Sequence, residues 1–228
     1  MLVGHGSRDP QAGRVLRALR DAVAERLAPL TVVLAWIELD TPLLTDVIGP
    51  VDQAAEQELP VVIPLLLSRG THHARDLPKS ATAPLGPDPM LTQMLLDRTR
   101  EAGIEPGRPL VLAAAGSADP LGTLDVSEQA KMLQAAWGAP VRAGFVTSEP
   151  SLAAAAMDAA AAAQADPAHP VSPAAMPPAV VSYFLAPGRL PRSARPHTEH
   201  IGSHPALVEL VLLRYRSAAP DGVTRLGL

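Results

Sequence analysis

LGPDPMLTQMLLDRTREA, residues 85–102, recurs as IGSHPALVELVLLRYRSA at 201–218, a constant offset of 116. Gly86, Pro89, Leu91, Leu96, Arg98 and Arg100 meet Gly202, Pro205, Leu207, Leu212, Arg214 and Arg216. Upstream of each copy, VVIPLLLSRG (61–70) is matched by AVVSYFLAPG (179–188), and Gly6-Ser7-Arg8-Asp9-Pro10 by Gly116-Ser117-Ala118-Asp119-Pro120. Matched blocks in the same order indicate an internal duplication more strongly than any one motif does. The Gly/Pro-rich stretch 103–109 divides the halves, giving lobes over 1–105 and 106–228.

The first half alternates strand and helix. Leu2-Val3 closes a short apolar strand. Over 11–27, Val15, Leu16, Leu19, Val23 and Leu27 recur at three- and four-residue spacing, which predicts a helix. TVVLAWI (31–37) and PVVIPLLL (60–67) are continuous apolar runs, as in parallel strands covered on both faces. Helices are expected over 42–58, with Pro42 in the first turn, and over 89–102. Such alternation implies an α/β fold with parallel sheets and right-handed crossovers, repeated in the two halves. The proline-rich stretch 164–178 reads as a long irregular loop.

Composition narrows the function. With 47% hydrophobic and 18% charged residues, the chain can build a core. A net charge of −4 argues against nucleic acid as a partner. The lack of cysteine removes disulfides, thiolate metal sites and iron–sulfur clusters. No apolar run is long enough for a membrane span and no signal-like segment opens the chain, so no membrane partner and a cytoplasmic setting are expected. Among 19 basic residues only Lys79 and Lys131 are lysines. The rest are arginines, whose planar forks suit carboxylates.

In open parallel sheets, ligands bind at the carboxyl ends of the strands. Those ends carry His5 after the first strand, Glu38 after the second and His72 after the third. Imidazole suits Fe2+, Co2+ and Ni2+ and can also carry protons near neutrality. Glu38 is a candidate for binding metal or relaying protons.

At these residues the chain resembles the sirohydrochlorin chelatases, the small class II tetrapyrrole chelatases. The markers are His5-Gly6-Ser7-Arg8-Asp9-Pro10 and the strand–loop signature Pro64-Leu65-Leu66-Leu67-Ser68-Arg69-Gly70-Thr71-His72-His73-Ala74-Arg75-Asp76-Leu77-Pro78. The resemblance implies insertion of Fe2+ or Co2+, a substrate metal, into sirohydrochlorin, on the way to sirohaem or cobalamin, with no organic cofactor. It implies two Rossmann-like lobes facing a cleft, with His5 and His72 as the metal-handling and proton-handling pair; Glu38, from its strand end, joins them as a candidate catalytic residue. Arg8, Arg69 and Arg75, with Arg189 and Arg192 on the same rim, are expected to pair with the polycarboxylate macrocycle. His73 stands where the family carries an apolar residue and is left out.

Alignment of the repeats puts Ala115 opposite His5 and Leu190 opposite His72. One metal site per chain follows, with the second lobe covering the tetrapyrrole, and the chain is expected as a monomer or homodimer. His197, His200 and His204 flank Pro196 and Gly202, so they read as a loop rather than a ligand set. A rival reading is a non-catalytic metal or tetrapyrrole carrier on the same fold. Histidine phosphatases also follow a strand with His-Gly, but they place an Arg directly before the His, where this chain has Gly4.

Overall fold

Leu2–Gly4 (β1), Leu34–Trp36 (β2) and Ile63–Pro64 (β3) form a parallel sheet in the order β2-β1-β3. Leu110–Ala114 (β4), Val141–Phe145 (β5) and Ala179–Ser182 (β6) repeat it as β5-β4-β6, also parallel. The protein is seen here as a computed structural model, which describes residues 1–49, 60–70, 75–165 and 176–218. The helices are α1 (Pro10–Arg26), α2 (Leu44–Ile48), α3 (Pro89–Glu101), α4 (Pro120–Trp137), α5 (Leu152–Ala165), α6 (Arg189–Ala194) and α7 (Ala206–Ala218).

The duplication read from the sequence reappears in the geometry. Asp9 and Asp119 cap α1 and α4 with nearly equal backbone angles, φ −85° and ψ 115° against φ −85° and ψ 121°. Each caps by accepting from the backbone N–H two residues on, at 2.9 Å. Ser7 and Ser117 in turn accept from the Asp9 and Asp119 amides at 3.1 and 3.0 Å. The glycine shared by the two long blocks has a steric reason. A Cβ on Gly86 would stand 2.5 Å from the Leu67 carbonyl oxygen, and one on Gly202 1.9 Å from that of Leu185.

The strands are shorter than their apolar runs. The runs at 31–37 and 60–67 yield ladders of three and two residues. Backbone bonds continue past them, with Ile37 N–H donating to Gly4 O at 2.9 Å and Leu65 N–H to Val3 O at 2.7 Å. The helix expected over 42–58 begins at Leu44 and is described as far as Ile48, and Gly49 follows with φ 76°. Residues 50–59 lie outside the described residues, as do 166–175 of the loop expected over 164–178.

Burial explains why the strands lack a polar face. Leu2 packs inward with α1 and α3, while Val3 points to a second cluster with Ala35, Leu44, Ile48, Val62 and Leu77. The larger cluster runs through both lobes: Leu91, Met94 and Leu95 of α3, Leu133 of α4, and Leu207 and Leu210 of α7 are all fully buried in it. Each such aliphatic side chain contributes about 1.5–3 kcal/mol by leaving water. The lobes therefore share one apolar core, which fixes the cleft at the carboxyl ends of their strands.

Candidate active site

The cleft has a volume of about 920 Å³. His5–Pro10 after β1, Glu38 and Leu39 after β2 and Leu65–Ser68 after β3 line its first-lobe wall. Ala115–Ser117 after β4 and Tyr183–Arg192 after β6 supply the facing wall. This is the strand-end location expected for a ligand on parallel sheets.

Backbone hydrogen bonds bring His5 and Glu38 together. The β1–β2 ladder runs one step beyond its strands, where Glu38 N–H donates to His5 O at 2.9 Å. Gly6, at φ 103°, then turns the chain under Glu38; a Cβ there would lie 1.6 Å from the Glu38 carbonyl oxygen. As a result His5 Nε2 stands 3.6 Å from Glu38 Oε1, with both side chains partly open to the cleft (39% and 49% exposed). His5 Nδ1 lies 3.2 Å from Gly6 O. The Nδ1–H tautomer donates there and leaves the Nε2 lone pair near the carboxylate. A lone pair facing a carboxylate is a donor set for a cation, and a backbone carbonyl behind the other ring nitrogen is the support metal-binding imidazoles take.

His72 lies outside the described residues, which end at Gly70 and resume at Arg75. Among the described residues no group of three or more histidines and carboxylates could hold a metal ion, so His5 and Glu38 stand as a two-donor pair.

The arginines separate. Arg8 is exposed and lines the cleft, as do Arg189 and Arg192. Arg192 pairs with Asp9 at 2.8 Å across the lobes. The Gln11 backbone N–H, helped by Arg192, holds the Asp9 carboxyl below its usual range although desolvation opposes this. Arg69 is engaged elsewhere: its guanidinium grips Asp125 of α4, with Nε 3.0 and 3.1 Å from the two carboxylate oxygens and a terminal nitrogen at 2.5 Å. Among the described residues neither Arg69 nor Arg75 lines the cleft, and Arg75 is exposed.

The histidine string is dispersed, as its prolines and glycines implied. His197 Nδ1 accepts from Val180 N–H at 2.9 Å along the edge of β6. His204 Nδ1 accepts from Ala206 N–H at 3.2 Å at the start of α7, at the repeat position of the α3 cap Asp88. Each ring acts as a backbone cap.

Sequence reading passed over Asp125, Gln129 and Tyr183. The buried face of α4 reads Gly122, Asp125, Val126, Gln129, Ala130, Leu133, so two polar residues interrupt an apolar stripe at helical spacing. That interruption was the available signal. Gln129 accepts from Asp88 N–H at 2.9 Å and donates to Thr92 Oγ1 at 2.7 Å, both in the other lobe.

Comparison with known proteins agrees with this architecture. Residues 1–102 match the CbiX family model. A sirohydrochlorin cobaltochelatase of Methanopyrus kandleri is 26% identical over 136 residues, covering 45% of this chain and 94% of the relative. Two other curated sirohydrochlorin cobaltochelatases are matched over about half, 54%, of their own length. Among solved structures, SirB from Bacillus subtilis with Fe3+ superimposes with a TM-score of 0.74 at 21% identity, over 98% of this chain and 96% of that one. SirB from Bacillus subtilis subspecies spizizenii in complex with cobalt gives a TM-score of 0.69 at 22% identity, over 97% and 95%. At these identities the structural matches speak for the fold across both lobes, and the family match speaks for the first. Over its first lobe, residues 1–102, the chain is thus similar to the CbiX family.

Proposed function

We propose that the protein inserts Fe2+ or Co2+ into sirohydrochlorin, as a chelatase of sirohaem or cobalamin synthesis. The observation that carries the reading is the His5–Glu38 pair, 3.6 Å apart on the wall of a cleft of about 920 Å³. With metal–ligand bonds of about 2.1 Å, two donors at that separation subtend roughly 120° at a shared ion, an angle that leaves further positions open. Residues 1–105 carry the metal-handling groups, with His72 as a further ligand, and residues 106–228 cover the macrocycle.

The chemistry is a balanced exchange. The free macrocycle carries two N–H protons that must leave as a divalent ion takes their place. The ion must also shed waters. Imidazole and carboxylate ligands replace some of those waters, and the same groups accept protons once the ion has moved to the ring nitrogens. Arg8 and Arg189, exposed on the rim, are suited to the carboxylates of the macrocycle. Arg69 and Arg75 stand off the described lining and are secondary candidates.

Among the described residues no helix is long and apolar enough to cross a membrane. We place the protein in the cytoplasm as a monomer or homodimer, acting on a small-molecule substrate without nucleic acid. The test is single-turnover mixing with sirohydrochlorin and Fe2+ or Co2+, following loss of the free-macrocycle absorbance. Insertion faster than the uncatalysed rate supports the chelatase. Tight binding of either ligand without acceleration assigns the carrier instead.

A further inference from the structure

The loop after β2 is longer than its twin after β5, and the difference falls beside Glu38. Two pairs of backbone hydrogen bonds fix the correspondence. Glu38 N–H donates to His5 O as Thr147 N–H does to Ala115 O, and Trp36 N–H donates to Pro42 O as Phe145 N–H does to Pro150 O. Residues 39–41 therefore stand where the second lobe has only 148–149, one residue more in the first lobe. The surplus is taken up at Leu39, which has φ 64° and is spanned by the Asp40 N–H donating to Glu38 O at 2.9 Å. That is a γ-turn of positive φ, a form that is rare and strained.

Leucine is costly in such a turn. Positive φ crowds a Cβ against the backbone, and glycine or asparagine adopts it more readily. Burial in the core does not offset that cost, since Leu39 is 48% exposed. Among the described residues the other non-glycine with positive φ is Arg195, and no residue of the matching second-lobe loop has it. The strain is held in place from both sides. Glu38 is tied to His5, and the Asp40 carboxylate accepts from Thr41 N–H at 2.9 Å and lies 3.6 Å from Arg17 of α1. Strained conformations persist where the surrounding structure over-determines them, and they collect at functional sites. Leu39 lines the cleft next to the His5–Glu38 pair.

We propose that Leu39 is a substrate-contacting residue: its strained turn holds the side chain in the cleft as an apolar seat for the flat face of the macrocycle, beside His5 and Glu38. The proposal rests on the chelatase reading of the cleft. A tetrapyrrole has apolar faces inside a rim of carboxylates. Arginines can fix its edge, whereas its face calls for an apolar contact. Leu39 gives that contact without binding metal or moving a proton, so it governs macrocycle affinity and leaves metal affinity alone. The one-residue insertion thus adds to the first lobe a contact that the second lacks.

The experiment compares the full chain with Leu39→Asn, Leu39→Gly and Leu39→Met. For each, the thermal midpoint, the Co2+ dissociation constant and the sirohydrochlorin dissociation constant are measured, the last by absorbance titration without metal. Asparagine and glycine suit the turn, so both variants keep or raise the midpoint and keep Co2+ affinity within about twofold. Both weaken sirohydrochlorin binding by about four- to tenfold, the effect of forgoing burial of about half a leucine side chain. Leu39→Met stays apolar and binds within about twofold of wild type. Should one of the asparagine and glycine variants fail to fold, the other decides. A lowered midpoint with wild-type sirohydrochlorin affinity overturns the proposal, because Leu39 then serves packing. So does a loss of Co2+ affinity with macrocycle binding unchanged, because the turn then only aims Glu38, and so does an equal loss of macrocycle binding in Leu39→Met. If the wild type binds sirohydrochlorin and inserts metal while all variants match it, only this proposal falls; if the wild type neither binds the macrocycle nor inserts metal, the chelatase reading falls and this proposal with it.

Discussion

His5 and Glu38 share a backbone hydrogen bond as well as a side-chain pairing: the Glu38 amide donates to His5 O at 2.9 Å, and the side chains meet 3.6 Å apart. The second lobe keeps the backbone and drops the chemistry. There Thr147 N–H donates to Ala115 O at the same 2.9 Å, and Thr147 Oγ1 turns back onto that carbonyl at 2.9 Å. Among the described residues the first-lobe turn brings an imidazole beside a carboxylate, and the matched second-lobe turn has Ala115 and Thr147 there.

His5→Ala is expected to abolish insertion and Glu38→Gln to slow it by about 10²–10⁴-fold, the range of a lost acid–base group. Both side chains are partly exposed on strand-end loops, so truncation opens no core cavity. Stopped-flow loss of macrocycle absorbance checks the rates, with circular dichroism as the folding control. Wild-type rates in both variants would remove the pair from the site.

Metal stoichiometry should follow the asymmetry between lobes. Calorimetry with Co2+ is expected to give one ion per chain, lost in a His5/His72 double alanine variant. Replacing His197, His200 and His204 should leave that stoichiometry intact, because two of these rings are engaged as backbone caps. Each lost cap costs about 1 kcal/mol of stability. Binding that survives the first change and disappears with the second would move the site into the second lobe.

The matched glycines of the two strand-end turns should respond unequally to alanine. Gly6 and Gly116 have φ of 103° and 104°. A Cβ on Gly6 meets the Glu38 backbone oxygen at 1.6 Å, whereas one on Gly116 meets the side-chain oxygens of Thr147 and Ser148 at 2.6 and 2.7 Å, which can rotate away. Gly6→Ala is expected to destabilise by more than about 3 kcal/mol and Gly116→Ala by about 1–2 kcal/mol. Urea denaturation orders the two, and equal losses would contradict the close approach at Gly6.

Acid should act through His200. Burial holds its pKa below the ordinary 6.5, while Glu199 opposes this and Arg98 adds to it. The folded state thus disfavours the proton that the unfolded chain binds. The stability held by neutral His200 is complete above pH 6.5 and is lost as pH falls from there toward the lowered folded value. His200→Gln should flatten the wild-type decline in urea midpoint between roughly pH 7 and 5. An unchanged slope would mean that the ring is solvated in solution.

Much of the fold was legible in the chain because its determinants are local. The apolar runs mark the strands and the three- and four-residue spacing marks α1. The repeated Gly-Ser-x-Asp-Pro block marks two capped helix starts, since capping hydrogen bonds span only two or three residues. The His5 and Glu38 strand ends followed from the same order. Extents were less legible: 42–58 reads as one helix, yet Gly49 takes a positive φ after Ile48 and ends the described turn.

Which charges meet was decided only by tertiary structure. Arg69 reads in sequence as a rim arginine for a carboxylate ligand, and in the fold its fork closes on Asp125, 56 residues away. Arg8, also preceded by a serine at a strand end, remains exposed on the cleft. An arginine fork binds whichever carboxylate the packing delivers, and the packing here is the shared core of two lobes. The sequence by itself determined the repeated α/β halves and the strand ends that carry His5 and Glu38; the docking of α4 against the Leu67–Gly70 turn determined which side chains serve the interface and which face the cleft.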